Sequence, residues 1–187
     1  ELMSSQLAGL SSAAVGALTT NQLSVLTAAK LSFLDVASVP GLTGSQIVGL
    51  TTTQTAGLGT ATVAALNTNT VRSLTTAQIV ALTTAQAAAL TPNEVSKLTT
   101  AQVAAIETAD LVKMTTAQIV ALTTDHASAL TVSQVENLTT SQIAAIQTAD
   151  LVKMTTAQIA GLSSVQTPAL TTDQLVTLTT AQIRAIE

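Results

Sequence analysis

The sequence predicts an all-α solenoid, a superhelical rod with one short capped helix in every eight residues. Three observations predict it. An octapeptide period runs unbroken along the chain, a helix-capping signature recurs at the same place in each unit, and acidic and basic residues keep to opposite ends of the unit.

The period comes first. Counted from Leu2, twenty-three octads run to Ala185 without insertion or deletion. A representative unit is Leu74-Thr-Thr-Ala-Gln-Ile-Val-Ala81, and the consensus is Leu, Thr, Thr, Ala, Gln, an aliphatic residue, any residue, then Ala or Gly. Position one is Leu in nineteen octads, with Ile106, Met114, Ile146 and Met154 in the others. Position six is aliphatic in nineteen, the exceptions being Thr55, Ala87, Ala127 and Thr167. A second period lies over the first. Ile106-Glu-Thr-Ala-Asp-Leu-Val-Lys113 returns forty residues later as Ile146-Gln-Thr-Ala-Asp-Leu-Val-Lys153. Residues 1–187 are therefore a single repeat array, more degenerate over 2–73 and built on a 40-residue super-repeat over 74–187. Both ends fall inside the pattern, at Leu2 and at Ile186-Glu187, and the chain is expected to be a portion of a longer array.

The cap is next. Position two is Thr, Ser, Asp, Asn or Gly in twenty of the twenty-three octads, the residue types that favour a helix N-cap. Three residues later stands Gln in fourteen, with Glu94, Asp110 and Asp150 in three more. Thr-x-x-Gln/Glu is the capping box, in which two side chains satisfy two otherwise unpaired N–H groups. The Leu before the cap and the aliphatic residue at position six then have the spacing of a hydrophobic staple. Pro92 falls at the first helical position, where Pro is tolerated. At Met3, Glu107 and Gln147 the cap residue is absent, and the following Ser or Thr suggests a cap displaced by one.

Charge and glycine complete the pattern. Asp35, Glu94, Glu107, Asp110, Asp125, Asp150, Asp173 and Glu187 occupy positions two to five, while Lys97, Lys113 and Lys153 occupy position eight and Arg72 and Arg184 position seven. That order matches a helix dipole renewed every eight residues; Lys30 and Glu136 break it. Gly9, Gly41, Gly49, Gly57 and Gly161 stand at position eight, where a helix must stop. Pro40 and Pro168 stand at position seven and predict distorted or shortened helices there.

The alternatives fit less well. One continuous helix would carry a Thr-Thr pair every two turns, and its mean apolar spacing of four residues drifts off any helical stripe. A β-solenoid remains as the alternative fold, since a corner inside each octad could restore strand alternation and Thr and Ile suit strands. Either way one octad cannot fold alone, because two buried aliphatic side chains do not offset the entropy of ordering eight residues. Neighbouring units must bury each other's staples. Leu and Ile are expected inside, with Ala and Gly allowing close approach and Thr and Gln facing outward or capping.

Composition limits function. With only Phe33 aromatic and 47% of residues hydrophobic, the core must be aliphatic. A net charge of −4 with six scattered basic residues excludes an electrostatic nucleic-acid or anionic-membrane surface. Thr, Ser, Gln and charges interrupt every apolar run, so no membrane span is expected. No cysteine is present, which removes disulfides and thiolate chemistry. His126, the only histidine, replaces a position-five Gln beside Asp125 and is expected to be a surface cap variant. Asp110 and Asp150 are expected to be acids of the first helical turn, and Met114 and Met154 core substitutes for Leu. No catalytic, cofactor-binding or metal residue is assigned, no cofactor is expected, and an enzyme is not expected for want of a convergent polar site.

Leu90-Thr-Pro-Asn-Glu-Val95 resembles the opening helix of the DNA-reading repeats of plant-pathogen TAL effectors. The likeness covers six residues, the unit is far shorter and the base-reading pair has no counterpart. It implies a shared cap and staple. Across its whole length the array is similar to the Thr/Ala-rich tandem-repeat regions of large secreted bacterial surface proteins and adhesins. That resemblance implies an extracellular or cell-surface stalk, fibre or matrix segment with self-association, lateral or end to end. The other function weighed is a binding module presenting regular Thr and Gln rows to a repetitive ligand such as ice or a polysaccharide.

Overall fold

The computed structural model describes residues 3–186; Leu2 and Glu187, assigned above to positions one and two, lie outside the described residues. Each octad carries one helix, giving 21 α-helices of four to six residues and two 3₁₀ helices, with no strand among the described residues. The β-solenoid alternative is thereby removed. Such short helices are unstable alone in water, so tertiary contacts must hold them.

Two extended residues separate each helix from the next. Between the helices Thr68–Ser73 and Thr76–Val80, Leu74 has φ −54° and ψ 136°, and Thr75 has φ −73° and ψ 158°. The Thr side chain then accepts from the N–H three residues on, which ends the extended stretch and opens the new helix. The chain bends at every Leu-Thr pair and winds into a superhelix. Helices three octads apart pack together, as Gly44–Val48 does on Thr68–Ser73 and Thr100–Ala105 on Thr124–Ala129.

Positions one and six form one continuous core along the axis. Leu138 is 4% exposed and Ile143 is fully buried. Ile106, Met114, Ile146 and Met154 fill position one as buried equivalents of Leu. Ala87 and Ala127 are buried in the position-six row, and Thr55 hides its hydroxyl there by donating to Thr51 O at 3.0 Å. Leu175 and Ile183 occupy the same position in the final turn, where no later turn among the described residues covers them, and both are exposed.

Three expectations need correcting. Glycine at position eight is not a left-handed helix stop, since no glycine among the described residues has positive φ. Its reason is approach between turns. A Cβ on Gly57 would lie 2.3 Å from Ala28 Cβ, and one on Gly41 would lie 1.9 Å from Ser12 O. Position eight thus packs on position three of the octad three units earlier. Second, the cap does not move at Glu107 and Gln147. Both remain N-caps in extended conformation without a side-chain cap bond, and the helices begin at Thr108 and Thr148. The missing cap bond is therefore not replaced by the following Thr. Third, Gln at position five does not face outward; it is buried from Gln46 onward, for a reason that follows from its bonding.

Pro40 and Pro168 behave as expected. The octads that hold them form 3₁₀ helices, Val39–Gly41 and Thr167–Ala169, in place of α-helices. Proline has no N–H to give to the carbonyl four residues back, and a shorter turn avoids that loss.

Candidate functional site

A helix of five residues has almost no interior. Nearly all its N–H and C=O groups are terminal and unpaired. The position-five side chain solves this at both ends at once. In Gln102, Oε1 accepts from Thr99 N–H at 2.7 Å, closing the capping box of its own helix. Its Nε2 donates to Leu74 O at 2.7 Å, 28 residues earlier, and to Val71 O at 3.1 Å, 31 residues earlier. Those carbonyls close the helix one superhelical turn below. One amide therefore joins the start of one helix to the end of another.

The same geometry recurs with little change. Gln54 reaches Leu26 O at 2.7 Å, Gln86 reaches Leu58 O at 2.7 Å, Gln134 reaches Ile106 O at 2.7 Å and Gln174 reaches Ile146 O at 2.7 Å. The fixed 28-residue offset places between three and four octads in each turn. In the first turn there is nothing beneath: Gln6 and Gln22 make only the cap bond and lie exposed. The column is a ladder of buried amides parallel to the aliphatic core.

Variants of the ladder follow the same rule, that a group must both accept and donate. His126 is buried, not a surface cap variant. Its Nδ1 accepts from Thr123 N–H at 3.2 Å and its Nε2 lies 2.7 Å from Leu98 O. This pair of partners requires the neutral tautomer with the proton on Nε2. The imidazole thus stands in for Gln, one nitrogen for Oε1 and the other for Nε2. At the octad starting with Leu66 only the donation to the turn below is kept, without the reciprocal capping box. Asn67 Oδ1 accepts from Thr70 N–H at 2.9 Å while Thr70 Oγ1 donates to Leu42 O at 2.9 Å.

The carboxylates depart from the rule. Asp110 and Asp150 lie at the third helical position, as expected for acids of the first turn, but both are buried and neither octad forms the reciprocal capping box. They are one methylene too short. Burial pushes the Asp150 carboxyl above its ordinary range. Glu94 has the length of Gln. Its Oε2 accepts from Thr91 N–H at 2.5 Å, but its Oε1 is buried with no hydrogen-bond partner.

The outer surface is different in kind. Thr at positions two and three is exposed along the array, as at Thr75 and Thr76, Thr115 and Thr116, and Thr155 and Thr156. Position-two hydroxyls are already engaged as caps, while those at position three face water. Asp125 is exposed on this side, away from any second histidine. No group of three or more His, Cys, Asp or Glu capable of holding a metal occurs among the described residues. No helix among the described residues is long and apolar enough to cross a membrane.

The burial of Gln was missed from sequence, yet a signal exists. A capping box accepts Glu as readily as Gln. The near-exclusive choice of Gln over Glu at position five says that the side chain must also donate, and a donor next to a core has to meet a carbonyl.

A family model described as the ALTTAQ repeat matches residues 56–92, 103–140 and 143–180, more than half of the chain. A search of curated proteins found no match.

Proposed function

The chain belongs to the ALTTAQ repeat family, and we propose that it serves as a structural spacer, a rod segment of a bacterial cell-surface or extracellular protein. The observation that carries this reading is the uninterrupted coupling of turn to turn. The aliphatic core runs the length of the described residues, and from Gln46 to Gln182 the buried position-five amides are consumed in holding helix ends. Nothing convergent is left over for catalysis, so the reading is of a non-enzymatic segment. Coupling between nearest neighbours lets such an array lengthen by duplication without a new core, and the 40-residue near-copies fit that history. The placement at a cell surface rests on the resemblance to Thr/Ala-rich surface proteins.

Self-association, lateral or end to end, is part of the proposal. Negative-stain imaging of the purified chain tests the reading. Rods or fibres whose length grows with added octads support it, and compact particles of fixed size refute it. Surface labelling of intact cells producing the parent protein tests its location.

The exposed Thr rows favour one second reading, a surface for a flat repetitive ligand such as ice or a polysaccharide. The rows would be Thr alone, because position-five Gln is hidden from Gln46 onward. Thermal hysteresis and glycan binding at micromolar protein test it, and silence in both removes it.

A further inference from the structure

Glu94 has the length to take its place in the ladder but lacks the donor. It is 2% exposed, and its Oε1 is the single buried side-chain oxygen or nitrogen without a partner among the described residues. In the octads on either side the atom at this position is a donor. Gln86 Nε2 meets Thr55 O at 2.9 Å and Leu58 O at 2.7 Å, and Gln102 Nε2 meets Val71 O at 3.1 Å and Leu74 O at 2.7 Å. The offsets of 31 and 28 residues carry over to Val63 O and Leu66 O for Glu94. An ionised carboxylate would set oxygen against carbonyl oxygen. Unpaired buried acceptors of like charge are what a low-dielectric interior penalises most.

We propose that Glu94 is a proton-binding site of the folded array: it holds a proton on Oε1, donates it to Leu66 O, and so acts as a neutral acid in the place of Gln, making this junction a pH-sensitive joint in the rod. The proton comes from water on folding and returns to water when the junction opens. Oε2 keeps its role as acceptor for Thr91 N–H.

The surroundings agree. The helices packed against Pro92–Val95 are Thr68–Ser73, which carries Arg72, and Thr116–Val120, which carries no charge. Thr60–Ala64, which supplies Val63 O, carries none either. Arg72 and Lys97, the cation at the end of the same octad, both have exposed side chains. Burial pushes the Glu94 carboxyl up from its ordinary 4.5, while the backbone and side-chain contacts to Thr91 pull it down. For a carboxyl raised on folding, the folded state binds more protons than the unfolded one. Its contribution is complete below pH 4.5 and is lost as pH rises through the folded value.

The test compares the wild-type chain with Glu94→Gln, which installs the donor permanently, in urea unfolding from pH 4 to pH 9. Asp150 titrates in both proteins and cancels in the comparison. The two should be equally stable at the acid end. Above it, the ratio of their folding constants should grow about tenfold per pH unit until the folded value is passed, in favour of Glu94→Gln. The infrared carbonyl band of a protonated carboxyl should also persist in wild type above pH 4.5, as a difference band against the variant; that measurement needs no mutant stability. A difference independent of pH, or no such band, overturns the proposal. So does a calcium chloride titration that stabilises wild type and not Glu94→Gln, since a cation would then occupy the place assigned to the proton.

Discussion

Replacing Gln102 by Met removes one ladder rung while keeping its length and volume, so no cavity contributes. Apart from Val71 O, three groups lose a partner, and one of them, Arg72 O at 3.2 Å, is only part-buried and can be reached by water. Leu74 O is buried at the helix junction and has no other donor among the described residues. Thr99 N–H loses Oε1, but it is only half-buried and can be reached by water. Val71 O retains the N–H of Leu74 at 3.1 Å and is not orphaned. An unsatisfied buried group costs about 1–3 kcal/mol, so Leu74 O contributes that range and Thr99 N–H its lower end, about 2–4 kcal/mol together. Gln22→Met provides the internal control. Gln22 makes the cap bond to Thr19 N–H at 2.8 Å and lies exposed with no turn beneath it; its loss should be about 0.5–1 kcal/mol. Urea unfolding followed by helical circular dichroism measures both. Equal losses at the two sites, or less than about 0.5 kcal/mol at Gln102, would refute the claim that the amide couples turns.

Core, cap and close-approach positions give separable outcomes in the same assay. Leu138→Ala truncates a position-one side chain that is 4% exposed and should cost about 2–5 kcal/mol. Thr139→Ala removes the acceptor for Gln142 N–H, now at 3.2 Å, and should cost nearer 1 kcal/mol; a negligible loss at Leu138 would defeat the core. Gly57→Ala forces a Cβ to 3.0 Å from Ala28 Cα, backbone that cannot swing away, and should cost about 1–3 kcal/mol. Gly9→Ala meets nothing nearer than 3.6 Å at negative φ and should stabilise by about 0.4–1 kcal/mol through the unfolded chain. Thermal unfolding of the two glycine variants, moving in opposite directions, distinguishes close approach from helix-stop chemistry.

The fold was legible because its local signals agree. The capping box, the staple and the charge order each mark the same helix start, as at Thr91-Pro-Asn-Glu94, where box and N-terminal Pro coincide. What stayed hidden was long-range. Nothing in an octad specifies a partner 28 residues away, and a cap at the surface looks the same in sequence as a cap against a neighbouring helix. Hence Gln and His126 were placed outside when they are inside. The glycines misled for a related reason. Position eight lies at the end of the helix and also at the contact with position three of an earlier turn, and only coordinates distinguish an end that needs positive φ from one that needs a missing Cβ. Proline was read correctly because its effect is local: the N–H it lacks belongs to its own helix.

The two sequence periods bear on why the ladder is so uniform. The super-repeat is forty residues long, whereas ladder bonds span 28. A duplicated block is longer than one turn and shorter than two, so its copies do not lie over one another. Asp110 and Asp150 are copies in sequence, yet Asp150 lies three octads above His126 and Asp110 lies three octads above Gln86. Every octad must therefore be able to seat on whichever octad duplication brings beneath it. The lower surface it meets is backbone carbonyl, which does not change with sequence, and the group that meets it is one side chain at position five. Interchangeability follows from that division: specificity lies in the main chain, and a single donor-acceptor residue per unit reads it. An octad whose fifth residue cannot donate, such as the one holding Glu94, breaks interchangeability unless a proton restores it.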